Sequence, residues 1–154
     1  MIKIRFSVRP DQGENSGFDL GDMEFSGDLG RVGSTGRTPD QGMMIYLSVS
    51  LLLDTFRLFL EGSQSVFSYT GADTSFNVRV RRIKKGRLSV FLNKEPVTNA
   101  SQAELSNALL VAAEEFLAEV LDLPETDVAR IDYLGALERF RPLVDPTHPK
   151  TRHA

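Results

Sequence analysis

The sequence predicts an α+β domain: an antiparallel sheet of about five strands with three helices packed on one face, in the order ββαβββαα. Three observations predict it. Several segments alternate apolar and polar residues with a period of two, the signature of a half-buried strand. Three others repeat their apolar residues at helical spacing. The connections between neighbouring strands are short, which favours antiparallel pairing.

Ile2, Ile4, Phe6 and Val8 alternate with Lys3, Arg5, Ser7 and Arg9, giving a first strand with one buried and one wet face. Pro10 to Gly17 supplies turn residues. Phe18 to Phe25 forms the second strand, with Phe18, Leu20, Met23 and Phe25 as its apolar members. The alternation slips around Gly21, so a bulge is expected there. Gly27 to Gly42 carries five glycines and reads as a surface loop. Pro-Asp-Gln-Gly occurs at 10–13 and again at 39–42, a recurrence of turn chemistry with no longer repeat around it.

Met43 to Leu60 is strongly apolar; Leu52, Phe56, Phe59 and Leu60 hold helical spacing and Gly62 is a natural stop, while Met43 to Leu47 suits a short strand leading in. About 18 such residues approach the length of a membrane span. Asp54 and Arg57 lie inside the segment, however, and a central charge costs roughly 2.5–3.5 kcal/mol on insertion. A buried core helix is the expectation, with no membrane partner. Val66 to Thr70, Thr74 to Ile83 and Arg87 to Leu92 follow as strands, the last two joined through Lys85-Gly86. Ser101 and Glu104 form a capping box for a helix to about Leu121. Pro124 opens another to about Phe140, with Val128, Ile131, Leu134 and Leu137 as its apolar face. Residues 1–141 thus make one domain, and 142–154 a proline- and histidine-containing tail.

The 154 residues contain no cysteine, so disulfides, thiolate nucleophiles and cysteine zinc sites are excluded. This agrees with a reducing compartment, and the charged, interrupted N-terminus shows no export signal, so a cytoplasmic protein is expected. Histidine occurs only at 148 and 153, in the tail. A serine–histidine triad needs a positioned base, and no Gly-x-Ser-x-Gly elbow is present to offer its partner. The expectation is therefore no catalytic residue, no metal and no cofactor.

Net charge is −3, but the signs are segregated. Between Phe76 and Glu95 lie seven basic residues and a single acid; between Ser101 and Arg139 lie nine acids and two arginines. Arg79, Arg81, Arg82, Lys84, Lys85 and Arg87 form a basic strip that suits an acidic partner or phosphates. Its plain reading is a solvated sheet face that discourages edge pairing. Phe76 falls on the face opposite Arg79 and Arg81, which weakens a reading based on stacked RNA bases. Glu114, Glu115, Glu119 and Asp122 form the acidic counterpart, either a solubilising helix face or a site for a basic protein.

The loop Gly30 to Arg37 invites comparison with phosphate cradles, yet it lacks the Walker spacing. Asp19, Asp22, Glu24 and Asp28 gather on or beside the second strand without calcium-loop spacing. By elimination, the first expectation is a non-enzymatic protein-binding module, of the kind represented by small intracellular inhibitors and immunity proteins, acting through charged surfaces on another protein. The alternatives are a nucleic-acid-binding protein using residues 79–87, and a carboxylate-dependent hydrolase or ligand-binding domain.

Overall fold

The computed structural model describes residues 1–145, and His148 and His153 lie outside them. The α+β class and the order of the main elements hold, but the strands divide into two four-stranded antiparallel sheets instead of forming one sheet of five. In the first sheet β1 (Lys3–Val8) pairs with β2 (Leu20–Gly27). The other edge of β2 is shared between β3 (Gly30–Gly33) at its end and β4 (Met43–Met44) at its start. Helix α1 (Ile45–Glu61) then leads to the second sheet, a meander of β5 (Val66–Thr70), β6 (Asn77–Arg82), β7 (Arg87–Leu92) and β8 (Glu95–Ser101). The tip of the β2–β3 hairpin lies on β8. Leu29 N–H donates to Val97 O at 2.9 Å, and Thr98 Oγ1 donates to the Asp28 carboxylate at 2.6 Å.

No bulge occurs at Gly21. Val8 faces Gly21 and Ser7 faces Asp22 in unbroken register. The alternation slips because Gly21, Met23 and Phe25 share the core face and Leu20 lies on the other, beside Asp22, which is buried by Arg9 donating to it at 2.9 and 3.0 Å and Ser34 Oγ at 2.7 Å. Gly21 itself is required by close packing, since a Cβ there would stand 2.1 Å from Ser7 O and 2.7 Å from the Ile45 side chain. Gly21→Ala is expected to lower stability by about 1–3 kcal/mol, the cost of overpacking, read as a lower urea midpoint with an unchanged slope.

Helix α1 buries Tyr46, Val49, Leu52, Leu53, Phe56 and Phe59, and Gly62 N–H closes its end on Phe59 O. Its Asp54 pairs with Arg139 at 2.9 Å. No helix among the described residues is long and apolar enough to cross a membrane. The capping box forms as expected: Glu104 N–H donates to Ser101 Oγ and Ser101 N–H to the Glu104 carboxylate. The long helix breaks at Phe116 into α2 (Gln102–Glu115) and α3 (Leu117–Leu121). Pro124 does not open the final helix. It lies in a turn, and α4 (Val128–Val144) starts after Asp127, whose carboxylate accepts from Ala129 N–H. α4 runs through Pro142, so residues 142–144 belong to the helix and not to a tail.

One apolar cluster lies beneath both sheets and the helices. Within it Phe116 joins three elements, with ring centroids 6.2 Å from Phe6, 5.4 Å from Tyr46 and 5.9 Å from Tyr133. Phe56, Phe59, Phe67 and Phe140 form a second aromatic knot beside it. α4 contributes Tyr133, Ala136, Leu137 and Phe140 to the core. Of the apolar face read from the sequence, Leu137 is buried and Leu134 half-buried, while Val128 and Ile131 point to solvent.

Candidate functional site

The basic strip occupies the open face of the second sheet. Val78 and Val80 are buried, and Arg79 and Arg81 alternate outward between them. Neither arginine has a hydrogen-bond or ion-pair partner among the described residues. Lys84 and Lys85 extend the charge around the turn. Phe91, half-buried on β7, stands directly across from Arg79, so this face does hold one aromatic ring. The other two basic residues have work inside the molecule. Arg87 donates to Asn99 O at 3.0 Å. Arg82 donates to Phe59 O at 2.7 Å and Gln64 O at 2.9 Å, and its guanidinium lies 4.4 Å above the Phe59 ring. A cation over the last carbonyls of α1 complements the helix dipole. Arg82→Lys keeps the charge and loses the fork, so it is expected to cost about 1–2 kcal/mol, whereas Arg79→Lys should change the thermal midpoint negligibly.

The acidic candidates also separate. Glu114 accepts from Nε and Nη2 of Arg141 at 2.8 and 3.0 Å, tying α2 to α4. Glu115, Glu119 and Asp122 remain exposed. Glu119 and Asp122 belong to a group of acids around the Tyr46 hydroxyl: burial chiefly, with Glu119, Asp19, Asp122 and Asp127 adding to it, pushes that phenol up to about 12. The four carboxylates on or near β2 are each engaged. Asp19 accepts from Ser16 N–H, Asp22 from Arg9, Glu24 from Arg31, and Asp28 from Thr98. No group of three or more histidine or carboxylate side chains among the described residues is placed to hold a metal ion.

Next to the acids lies a feature that the sequence does not announce. Gly17, Phe18, Met44, Leu47, Val128 and Ala129 line a cleft of about 370 Å³, with Asp127 and Asp132 at its edge. Phe18 is 80% exposed and Val128 67%. One helical turn further on, Leu51 on α1 is 42% exposed and Ile131 on α4 is 56%. The two helices run side by side in the same direction, since Leu47 shares the cleft with Val128 while Asp54 pairs with Arg139. The backbone that presents Phe18 is held in place by Gly17 N–H donating to Asp127 at 3.0 Å, Phe18 N–H to Ser16 Oγ at 3.2 Å and Asp19 N–H to Ser16 O at 3.0 Å. The carboxylate of Asp127 therefore serves two elements, starting α4 and anchoring the turn that presents Phe18.

Comparison of the chain with protein-family models, curated proteins and solved structures finds no match.

Proposed function

We propose that the chain is a protein-binding module whose contact face is the apolar, acid-rimmed cleft at the start of α4. The observation that carries this reading is the exposure of Phe18, on a hydrogen-bonded turn, and of Val128 around one cleft, continued by Leu51 and Ile131. Contiguous apolar surface rimmed by charge marks interaction sites, because leaving it in water costs about 25 cal/mol per Å². Asp127 and Asp132, which line the cleft, set the chemistry of the occupant. It is a protein segment that presents one or two apolar side chains flanked by lysine or arginine. Complementary charge would speed the encounter and select the partner, and the apolar contacts would hold it. Inhibitor and immunity proteins, which cover a partner's working surface, act by contact of this kind.

The test is quantitative co-purification from cells that naturally make the protein, comparing wild type with Phe18→Ser/Val128→Ser and with Arg79→Glu/Arg81→Glu. A basic protein lost from the first variant and kept by the second is the expected result. Loss from the arginine variant alone would move the contact to the open face of the second sheet and overturn this reading.

A further inference from the structure

Independently of the apolar cleft, the loop after β3 reaches the turn between β7 and β8 and forms a second cleft, of about 400 Å³, whose mixed lining includes six polar or charged side chains beside Thr38 and Pro39. Its useful groups come from Arg37, Gln41, Ser75, Asn77, Asn93 and Lys94. Their hydrogen bonds fix the wall: Asn93 Nδ2 donates to Gln41 Oε1 at 2.6 Å, Gln41 Nε2 to Ser75 Oγ at 3.1 Å, and Asn77 N–H to Asn93 Oδ1 at 3.0 Å. Asn93 and Lys94 both have positive φ, 49° and 68°, as the central pair of a two-residue hairpin turn requires. The facing loop is equally held, because Arg9 donates to both oxygens of Asp40 at 2.8 Å.

Three donors are left over in this fixed frame. Arg37 uses Nε on Gly33 O at 3.1 Å and Nη2 on Glu95 at 3.0 Å, keeping Nη1 unpartnered. Lys94 has no ion-pair partner among the described residues. Ser75 Oγ accepts from Gln41, so its own proton is available to donate. A guanidinium, an ammonium and a hydroxyl from separate segments suit a tetrahedral oxyanion, whose oxygens accept from several directions at once. We propose that this cleft binds a phosphate group, free or as a phosphate monoester. The glycine-rich segment would then contribute through the side chain of Arg37, while Gly30–Gly33 itself is a strand and not a backbone cradle. Glu95 opposes the anion by holding Arg37, so binding is weak in the wild type and strengthens when that charge is removed.

The experiment is a 15N-amide NMR titration with inorganic phosphate and with methyl phosphate, at ionic strength matched with chloride. Saturable shifts confined to residues 38, 40, 41, 75–77 and 93–95 are expected. Lys94→Gln should weaken the affinity about tenfold and Glu95→Gln should tighten it severalfold. Arg37→Gln repeats the first test from the opposite wall should Lys94→Gln disturb the turn. Saturation by either ligand supports a phosphate site; inorganic phosphate alone assigns it to the free ion, methyl phosphate alone to a monoester, and both to the phosphate group they share. Shifts that never saturate, that follow Arg79 and Arg81 instead, or that survive both cation replacements would overturn it.

Discussion

Phe116→Ala is expected to lower the unfolding free energy by about 3–5 kcal/mol, the range for emptying a buried aromatic site. Phe116 is buried at the junction of α2 and α3 and touches rings from β1, α1 and α4. Those elements are held by their own ladders and helices, so they cannot close on the void together. Tyr133 adds to the cost, because its hydroxyl donates to Ala113 O at 2.7 Å and fixes the ring beside the gap. Since domains of this kind have about 5–15 kcal/mol in all, the variant should be largely unfolded at moderate urea. Phe116→Leu keeps most of the volume and should cost about 1.5 kcal/mol or less. Urea denaturation of the two variants decides the matter; equal, small losses would mean that the ring does not organise the core.

The legible parts of the fold are those whose signal is local. Ile2, Ile4 and Phe6 set β1 by alternation alone, and the bounds of β5 and β7 follow from the same pattern. Ser101 and Glu104 mark a helix start because both halves of a capping box lie within four residues. The missed strands have no such signal. Gly30–Gly33 begins and ends in glycine, and Glu95–Ser101 contains Pro96 and a register shift opposite Val90 and Phe91. Thr98 in β8 is buried because the β2–β3 hairpin tip lies on it, a long-range fact with no trace in the alternation. Two sheets in place of one follow from the same cause: β3 and β4 divide the free edge of β2, and the second sheet begins only after α1.

The candidate site was legible as chemistry more than as place. The strand pattern puts Arg79 and Arg81 outward correctly, yet it cannot show that Arg82 turns back onto Phe59 or that Phe91 lies across from Arg79. Val128 and Ile131 mislead for a physical reason. Apolar residues at helical spacing look the same whether their face is covered by the chain's own core or left for another molecule. Only the placement of α4 tells the two apart.

That difference yields the second large effect. Replacing Phe18 and Val128 together with serine should weaken partner binding at least about a hundredfold, about 2.8 kcal/mol at 1.4 kcal/mol per decade. An aromatic anchor seated in a partner's pocket is the usual source of such losses. Folding stability should stay within about 0.5 kcal/mol of wild type, because neither side chain is buried in the free protein. Asp127 would still cap α4 and hold the Gly17 backbone, so the cleft keeps its shape. Asp132→Lys, in contrast, should slow association and reduce its salt dependence without removing the apolar contact. The pairing of unchanged stability with lost binding is what separates a contact face from a poorly covered core. A destabilisation of 2 kcal/mol or more in Phe18→Ser/Val128→Ser would show that these side chains serve the fold instead, and the contact face would have to be sought among the unpaired arginines of the second sheet.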